Sequence, residues 1–246
     1  MEIRKATKSQ GVLIVKPISK QQAKKMIIQN HYSRTWNDGG FGKYNYGIFK
    51  EGDEHCKGVA VYGLMKNPKG KIFTDKNPNG WMCELNRLWI SDELGHNTET
   101  ILIAASIRLL KKEDPDIVAI QSFADGRLGC GTIYKAANFQ YFGYHYTKFL
   151  ENRFTGEIKH EQNFTNASCT GAFMKNNISY LIGDYRVFQV KTYRYIYPIS
   201  RHFKFTFKKR KPYPAYEKGI VNIQWKRDHT HLAGKLVELI YQYVEK

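Results

Sequence analysis

Acid is in short supply in this 246-residue chain: 22 Asp and Glu stand against 39 Lys and Arg, leaving a formal net charge of +17. That imbalance makes a polyanion, nucleic acid or an acidic membrane surface, the leading class of partner, with general solubility as the plainer alternative. Long apolar runs are missing as well. No stretch approaches the roughly 18 residues that cross a bilayer, and the opening MEIRKATKSQ lacks the apolar core of a signal peptide. A cytoplasmic protein with no membrane partner is expected. Cysteine is sparse and scattered, and Cys56, Cys83, Cys130 and Cys169 form neither a CxxC pair nor a Cys/His zinc spacing. Reduced thiols are expected in that compartment. Internal repeats are absent.

What is present suffices for a sizeable core: 42% of residues are hydrophobic and 14% aromatic. After a basic tail, residues 12–19 read as a strand leading through Pro17 and Ser19 to a helix N-cap. The helix KQQAKKMIIQNHY stops near Asn30 and His31, where a loop rich in Asn, Asp and Gly begins. Strands at 43–51 and 57–65 form a hairpin, and a Pro/Gly/Asn loop spans 67–80. A buried strand follows at 84–91, then the loop DELGHNT with a cap at Asn97 or Thr98. Residues 98–115 give the clearest helix, with Ile103, Ile107 and Leu110 at helical spacing, acid first and lysine last. IVAIQSFAD at 117–125 has the continuous apolar character of a central strand. A short helix, TIYKAANF, and a strand at 139–150 complete a mixed α/β order over 12–150, similar to that of the GNAT acyltransferases.

The remainder differs, and a boundary is placed at 150, with 1–150 as a GNAT-like core and 151–246 as a basic aromatic extension that packs on it and contacts DNA. Residues 151–185 read as irregular. Between 186 and 211 there are nine cations and no acid: Arg186, Lys191, Arg194, Arg201, Lys204, Lys208, Lys209, Arg210 and Lys211. Aromatics interleave with them, as expected of a surface that contacts phosphates with strong salt dependence. Tyr193, Tyr195 and Tyr197 alternate as on one strand face, and core packing is expected for at least two of them. An amphipathic helix is expected at 232–244, its apolar face made by Leu232, Leu236, Leu239, Ile240 and Tyr243.

The stretch ELNRLWISDELGHNTETILIAASIRLL, followed by SFADGRLGCGTIYKAANFQYFG, resembles the Mom family, in which an ELxRLW strand, an NTE-opened helix and an SFAD…GTIYKAxN segment recur together. The likeness is strong over 84–143, weaker at 31–33 and 58–63, and ends near 150. The resemblance implies a GNAT-related fold and carbamoylmethylation of adenine N6 in double-stranded phage DNA, which shields it from restriction enzymes. It also implies a donor site for acetyl-CoA or another group donor at Gly95, His96, Asn97 and Thr98, where GNAT enzymes seat a pyrophosphate against a helix N-terminus. Here only Gly95 stands in that turn, and Asp92 and Glu93 beside it disfavour a pyrophosphate.

Adenine N6 is a weak nucleophile because its lone pair is delocalised into the ring, and within a duplex the base must be exposed or flipped. A site for it needs a base or metal to activate one partner and a cation or donors to steady charge on the other. Asp125 ends a central strand where α/β sheets place ligands, and is expected as general base or metal ligand, the plainer role being a turn cap. Ser122 would orient that base. Arg87, inside an apolar strand, needs Glu84, Asp125 or a bound anion to satisfy its donors. Tyr134 would donate to, or stack on, the flipped base, unless it is only a half-buried aromatic. His31 and Tyr32 enter a Gly-rich loop that presents an imidazole to a cleft. His31, Asp125 and Tyr46 or Tyr134 would make an N/O set of the kind that holds non-haem iron, though no spacing motif marks it. Two other functions stay open, an acyl-CoA-dependent N-acetyltransferase and a non-catalytic DNA-binding protein, and so does a homodimer.

Overall fold

The computed structural model describes residues 1–65, 72–165, 170–224 and 228–245. Cys169 and part of the loop expected at 67–80 lie outside the described residues, and Cys56, Cys83 and Cys130 are free thiols. The chain forms two compact units, one of Met1–Ala124, Gly131–Gly143 and Tyr193–Ala215, the other of Asp125–Cys130, Tyr144–Thr192 and Tyr216–Lys246. Residue 150 falls inside a strand rather than in a linker.

The first unit opens with a hairpin of β1 (Ile3–Thr7) and β2 (Gly11–Pro17), so the expected basic tail is a strand. Its Arg and Lys side chains point to solvent on an edge, where charge discourages further pairing. Ser19 caps α1 (Lys20–Asn30), accepting the Gln22 N–H at 3.1 Å. Ala23 and Ile27 pack this helix on Val59 and Val61. β3 (Tyr44–Lys50) and β4 (Gly58–Leu64) continue the antiparallel meander. A short β5 (Phe73–Thr74) precedes β6 (Trp81–Ile90), which pairs antiparallel with β4.

α2 (Thr98–Glu113) buries Leu102, Ile103, Ile107, Leu109 and Leu110. Asn97 occupies its cap position without capping it, because a left-handed backbone at φ 66° carries the side chain away from the first N–H groups. The Thr98 hydroxyl instead donates to the Leu94 carbonyl. β7 (Ile117–Asp125) runs parallel to β6, the reversal that α2 makes possible. Then come α3 (Thr132–Ala136) and β8 (Gln140–Asn152). The strand order β1-β2-β3-β4-β6-β7-β10-β8, where β10 is Tyr185–Pro198, makes the expected mixed α/β sheet. β11 (Lys204–Phe205) pairs with β5, and their phenylalanines pack with Phe203 on Met65, Met82, Phe142 and Ile196.

The second unit takes the outer part of β8, antiparallel to β9 (Ile158–His160), and the first part of β10, antiparallel to β12 (Ile220–Asn222). The stretch expected to be irregular holds β9, α4 (Gln162–Thr165) and α5 (Thr170–Ile182). Weak helix formers hid α5, and tertiary packing stabilises it. Buried Asn177 satisfies its amide on the Phe173 and Phe164 carbonyls. α6 (His229–Val244) starts three residues earlier than expected, at an Asp228 cap that accepts the Thr230 and His231 N–H groups. Its Leu232 and Leu236 pack with Phe173, while Ile240 and Tyr243 remain exposed because α5 covers only the first turns. No helix among the described residues is long and apolar enough to cross a membrane.

Candidate active site

The parallel ladder between β6 and β7 ends at Glu84 opposite Gln121, although both strands continue. Where adjacent parallel strands part, backbone groups are left to be satisfied by side chains. Ser122 supplies the next rung, its hydroxyl donating to the Leu85 carbonyl at 3.0 Å. The same oxygen lies 2.9 Å from the Tyr134 hydroxyl. Serine has one proton, and the carbonyl can only accept, so the Tyr134 O–H is directed at Ser122. Tyr134 is held by stacking on Tyr195, 5.2 Å between centroids, beneath a Gly131 whose φ of 88° and close neighbours, Ala124 and Tyr195, leave no space for a side chain. Burial raises the Tyr134 pKa.

On the other side, the register of β4 against β6 slips between Val61 and Tyr62, leaving Asn86 as the extra residue of a bulge. The bulge turns the Glu84 and Arg87 side chains toward the place where the strands part. Glu84 Oε1 accepts the Asn86 amide and Oε2 the Gln121 amide, each at 3.2 Å. Burial raises the Glu84 pKa, opposed by these two amides and by the charges of Arg87 and Arg194. Arg87 donates to the Asn86 carbonyl at 2.7 Å and to Thr35 at 3.0 Å, with its guanidinium 4.6 Å from the centre of the Phe41 ring. Its Nε is buried and meets no partner among the described residues. Burial lowers the Arg87 pKa, while Tyr32, Glu84 and Tyr134 act electrostatically in the opposite direction. The loop after α1 therefore meets the β6 arginine, and Arg87, Ser122, Tyr134 and Tyr32 belong to one neighbourhood.

Glu84, Asn86 and Gln121 complete that neighbourhood, and sequence reasoning had not placed Asn86 and Gln121 there, nor given Glu84 more than a pairing role. The signal available was the bulky ELNRLW strand with three polar residues too close together to alternate. His31 is buried, with Nδ1 accepting the Ser33 N–H at 3.1 Å and its ring beside Tyr32, which is exposed. Asp125 ends β7 in an ion pair: Arg127 engages both carboxylate oxygens, and its backbone N–H reaches one of them.

The iron set proposed from sequence does not fit. Tyr46 is fully buried and donates to Glu113 at 2.7 Å at the far end of α2, and Asp125 is committed to Arg127. Among the described residues no group of three or more His, Cys, Asp or Glu gathers. The turn at 95–98 is also a poor seat for a pyrophosphate. Gly95 has φ 64° and leads into the helix, but the Thr98 hydroxyl is spent on Leu94 and buried, and Asp92, Glu93 and Glu99 crowd the same end.

The basic tract divides. Arg186 pairs with Glu151 at 2.5 Å and Lys191 with Glu217 at 2.8 Å. Arg194 is drawn inside, near Phe123, Phe205 and Phe207 and bonded to Gln121. Arg201, Lys204, Lys209, Arg210 and Lys211 are exposed, Lys208 is half-buried, and none of the six pairs with a carboxylate among the described residues. Tyr193 and Tyr195 are core residues, as expected.

Comparison with known proteins places these features in a lineage. The chain is 33% identical over 152 residues to the methylcarbamoylase Mom of Escherichia phage Mu, and spans about 60% of the length of that relative and 61% of its own. Similar solved structures include Arabidopsis thaliana NAA60 in complex with acetyl-CoA, at 9% identity and TM-score 0.47 over 76% of this chain and 99% of that one. A GNAT-family acetyltransferase of Desulfovibrio desulfuricans, described as putative, matches at 9% identity and TM-score 0.41 with the same coverage. The family model of Mom proteins matches residues 12–215, taking in both strands that part at Glu84 and Gln121, and the chain belongs to the Mom protein family.

Proposed function

We propose that this protein is a DNA-modifying transferase that carbamoylmethylates the exocyclic N6 of adenine, at the point where β6 and β7 part. The observation that carries the reading is a half-buried carboxyl, Glu84, set between two amide donors, two residues from Asn86 and three from Arg87. Replacing N6–H by N6–C releases a proton, and the donor's leaving group departs with an electron pair. A carboxylate of raised pKa is matched to accept that proton, and a guanidinium steadies the negative charge that develops on the donor. Glu84 is given the first role and Arg87 the second. Ser122 and Tyr134, both buried, brace the strands where they part, and exposed Tyr32 is proposed to stack on an extruded base. His31 supports Tyr32 from below.

Asp125, paired with Arg127, is given no role in that chemistry. Gly95, His96, Asn97 and Thr98 are proposed to bound the donor subsite. The donor is an electrophile with a carbamoylmethyl group, and the acidic end of α2 favours one without a pyrophosphate. Arg201, Lys204, Lys208, Lys209, Arg210 and Lys211 are proposed to hold the phosphates of duplex DNA.

Mass spectrometry of nucleosides from DNA of cells expressing the protein tests this reading. A new adenine derivative is expected, absent with Arg87→Met. Unmodified adenine beside soluble, folded wild-type protein would contradict it.

A further inference from the structure

Arg194 was expected on the DNA surface. It lies instead in the first unit, with its guanidinium 5.0 Å from the centre of the Phe123 ring, 5.4 Å from that of Phe207 and 5.7 Å from that of Phe205. Its Nη1 donates to Gln121 Oε1 at 3.0 Å, and its Nε is buried without a partner among the described residues. Gln121 is itself 5% exposed, and its other amide atom donates to Glu84. An amide is two-faced: rotated by half a turn, Gln121 would aim its oxygen at the carboxylate and lose both bonds. Arginine can only donate, so its contact with the amide oxygen forbids that rotation.

We infer that Arg194 is a positioning residue that acts through Gln121, locking the amide so that its N–H₂ faces Glu84 and keeps the carboxylate ready to accept a proton. The aromatic enclosure serves the same end, because a guanidinium stacked on rings keeps its fork in one plane where a lysine would not. The inference rests on the reading of Glu84 as the proton acceptor. The groups that face Glu84 among the described residues are Arg87 and Cys83 on β6, Tyr134 on α3, Arg194 on β10 and the neutral amides of Asn86 and Gln121. Arg87 and Arg194 are the cations of that set, so Arg194 also acts on Glu84 directly through its charge. The test must separate the two routes.

The test is a pH titration of the Glu84 carboxyl carbon by NMR in the full-length protein labelled with 13C-glutamate, its signal assigned by its loss in Glu84→Gln. Arg194→Met and Gln121→Met should each move the midpoint upward by about one pH unit. The double variant should move it by much less than the sum, the mark of two residues acting in series. An unmoved midpoint in Arg194→Met, or shifts that simply add, would overturn the inference. Where Arg194→Met does not fold, neutral and polar Arg194→Gln takes its place with the same expected shift. Failure of the underlying reading looks different, since Glu84→Gln would then still modify adenine.

Discussion

A carboxyl group enclosed by donors is at once a reagent and a burden. The Glu84 pKa is raised in the folded protein above its ordinary value of 4.5, chiefly by burial. The folded state therefore binds the proton more tightly than the unfolded one, and ionised Glu84 costs stability at neutral pH. That cost is fully present above the folded pKa and fades as pH falls through it toward 4.5. Glu84→Gln should accordingly melt higher than wild type near pH 7, with the difference vanishing in acid; calorimetry at a series of pH values reads this directly. Asn86 can turn its unpartnered Oδ1 toward the new amide, so the variant keeps its hydrogen bonds. Arg87 was legible from sequence because a lone cation in an apolar strand demands an explanation. Glu84 was less so, since the partners that define it lie far along the chain: Gln121 is 37 residues away, and Arg194 stands 73 residues beyond Gln121. Long-range hydrogen bonds leave no local pattern in a sequence.

At the level of elements, the bulge in β6 depends on how closely another backbone approaches. Gly63 on β4 has no room for a side chain: an added Cβ would sit 2.0 Å from the Gly40 carbonyl oxygen and 2.6 Å from Asn86 Oδ1. Both neighbours are part of the site's frame, and the carbonyl is backbone that also accepts the Leu64 N–H. Gly63→Ala should cost about 2 kcal/mol or more and disturb the Glu84 signal, measured by urea unfolding and the same NMR resonance. A stability change within 0.5 kcal/mol, the range of neutral surface substitutions, would contradict this packing. Periodic elements such as α2 and β7 were visible in sequence because their apolar spacing is strong. α5 was not, because Asn, Ser and Gly mask a helix that owes its form to Phe164, Phe173 and α6. Asn97 misled for a different reason, a left-handed backbone that composition does not reveal.

For the molecule as a whole, net charge pointed to a polyanion and the structure sorts the cations that supply it. Those of β10 are consumed internally, Arg186 and Lys191 by carboxylates and Arg194 by Gln121. The run from Lys208 to Lys211 remains. Replacing these four with alanine should reduce the slope of log affinity against log salt by about 3 to 4, whereas Arg186→Ala and Lys191→Ala should scarcely change it; fluorescence anisotropy with duplex DNA measures both. Equal effects from the two sets would show that the internal pairs open on DNA. The proposed reaction needs Glu84 as the acceptor of the N6 proton, and one comparison tests that role most directly: the fraction of modified adenine in DNA from cells expressing Glu84→Gln and wild-type protein at equal soluble levels. Loss of the modified nucleoside by a hundredfold or more, the lower range of general-base contributions, is the expected result. Modification by Glu84→Gln at the wild-type level would contradict it.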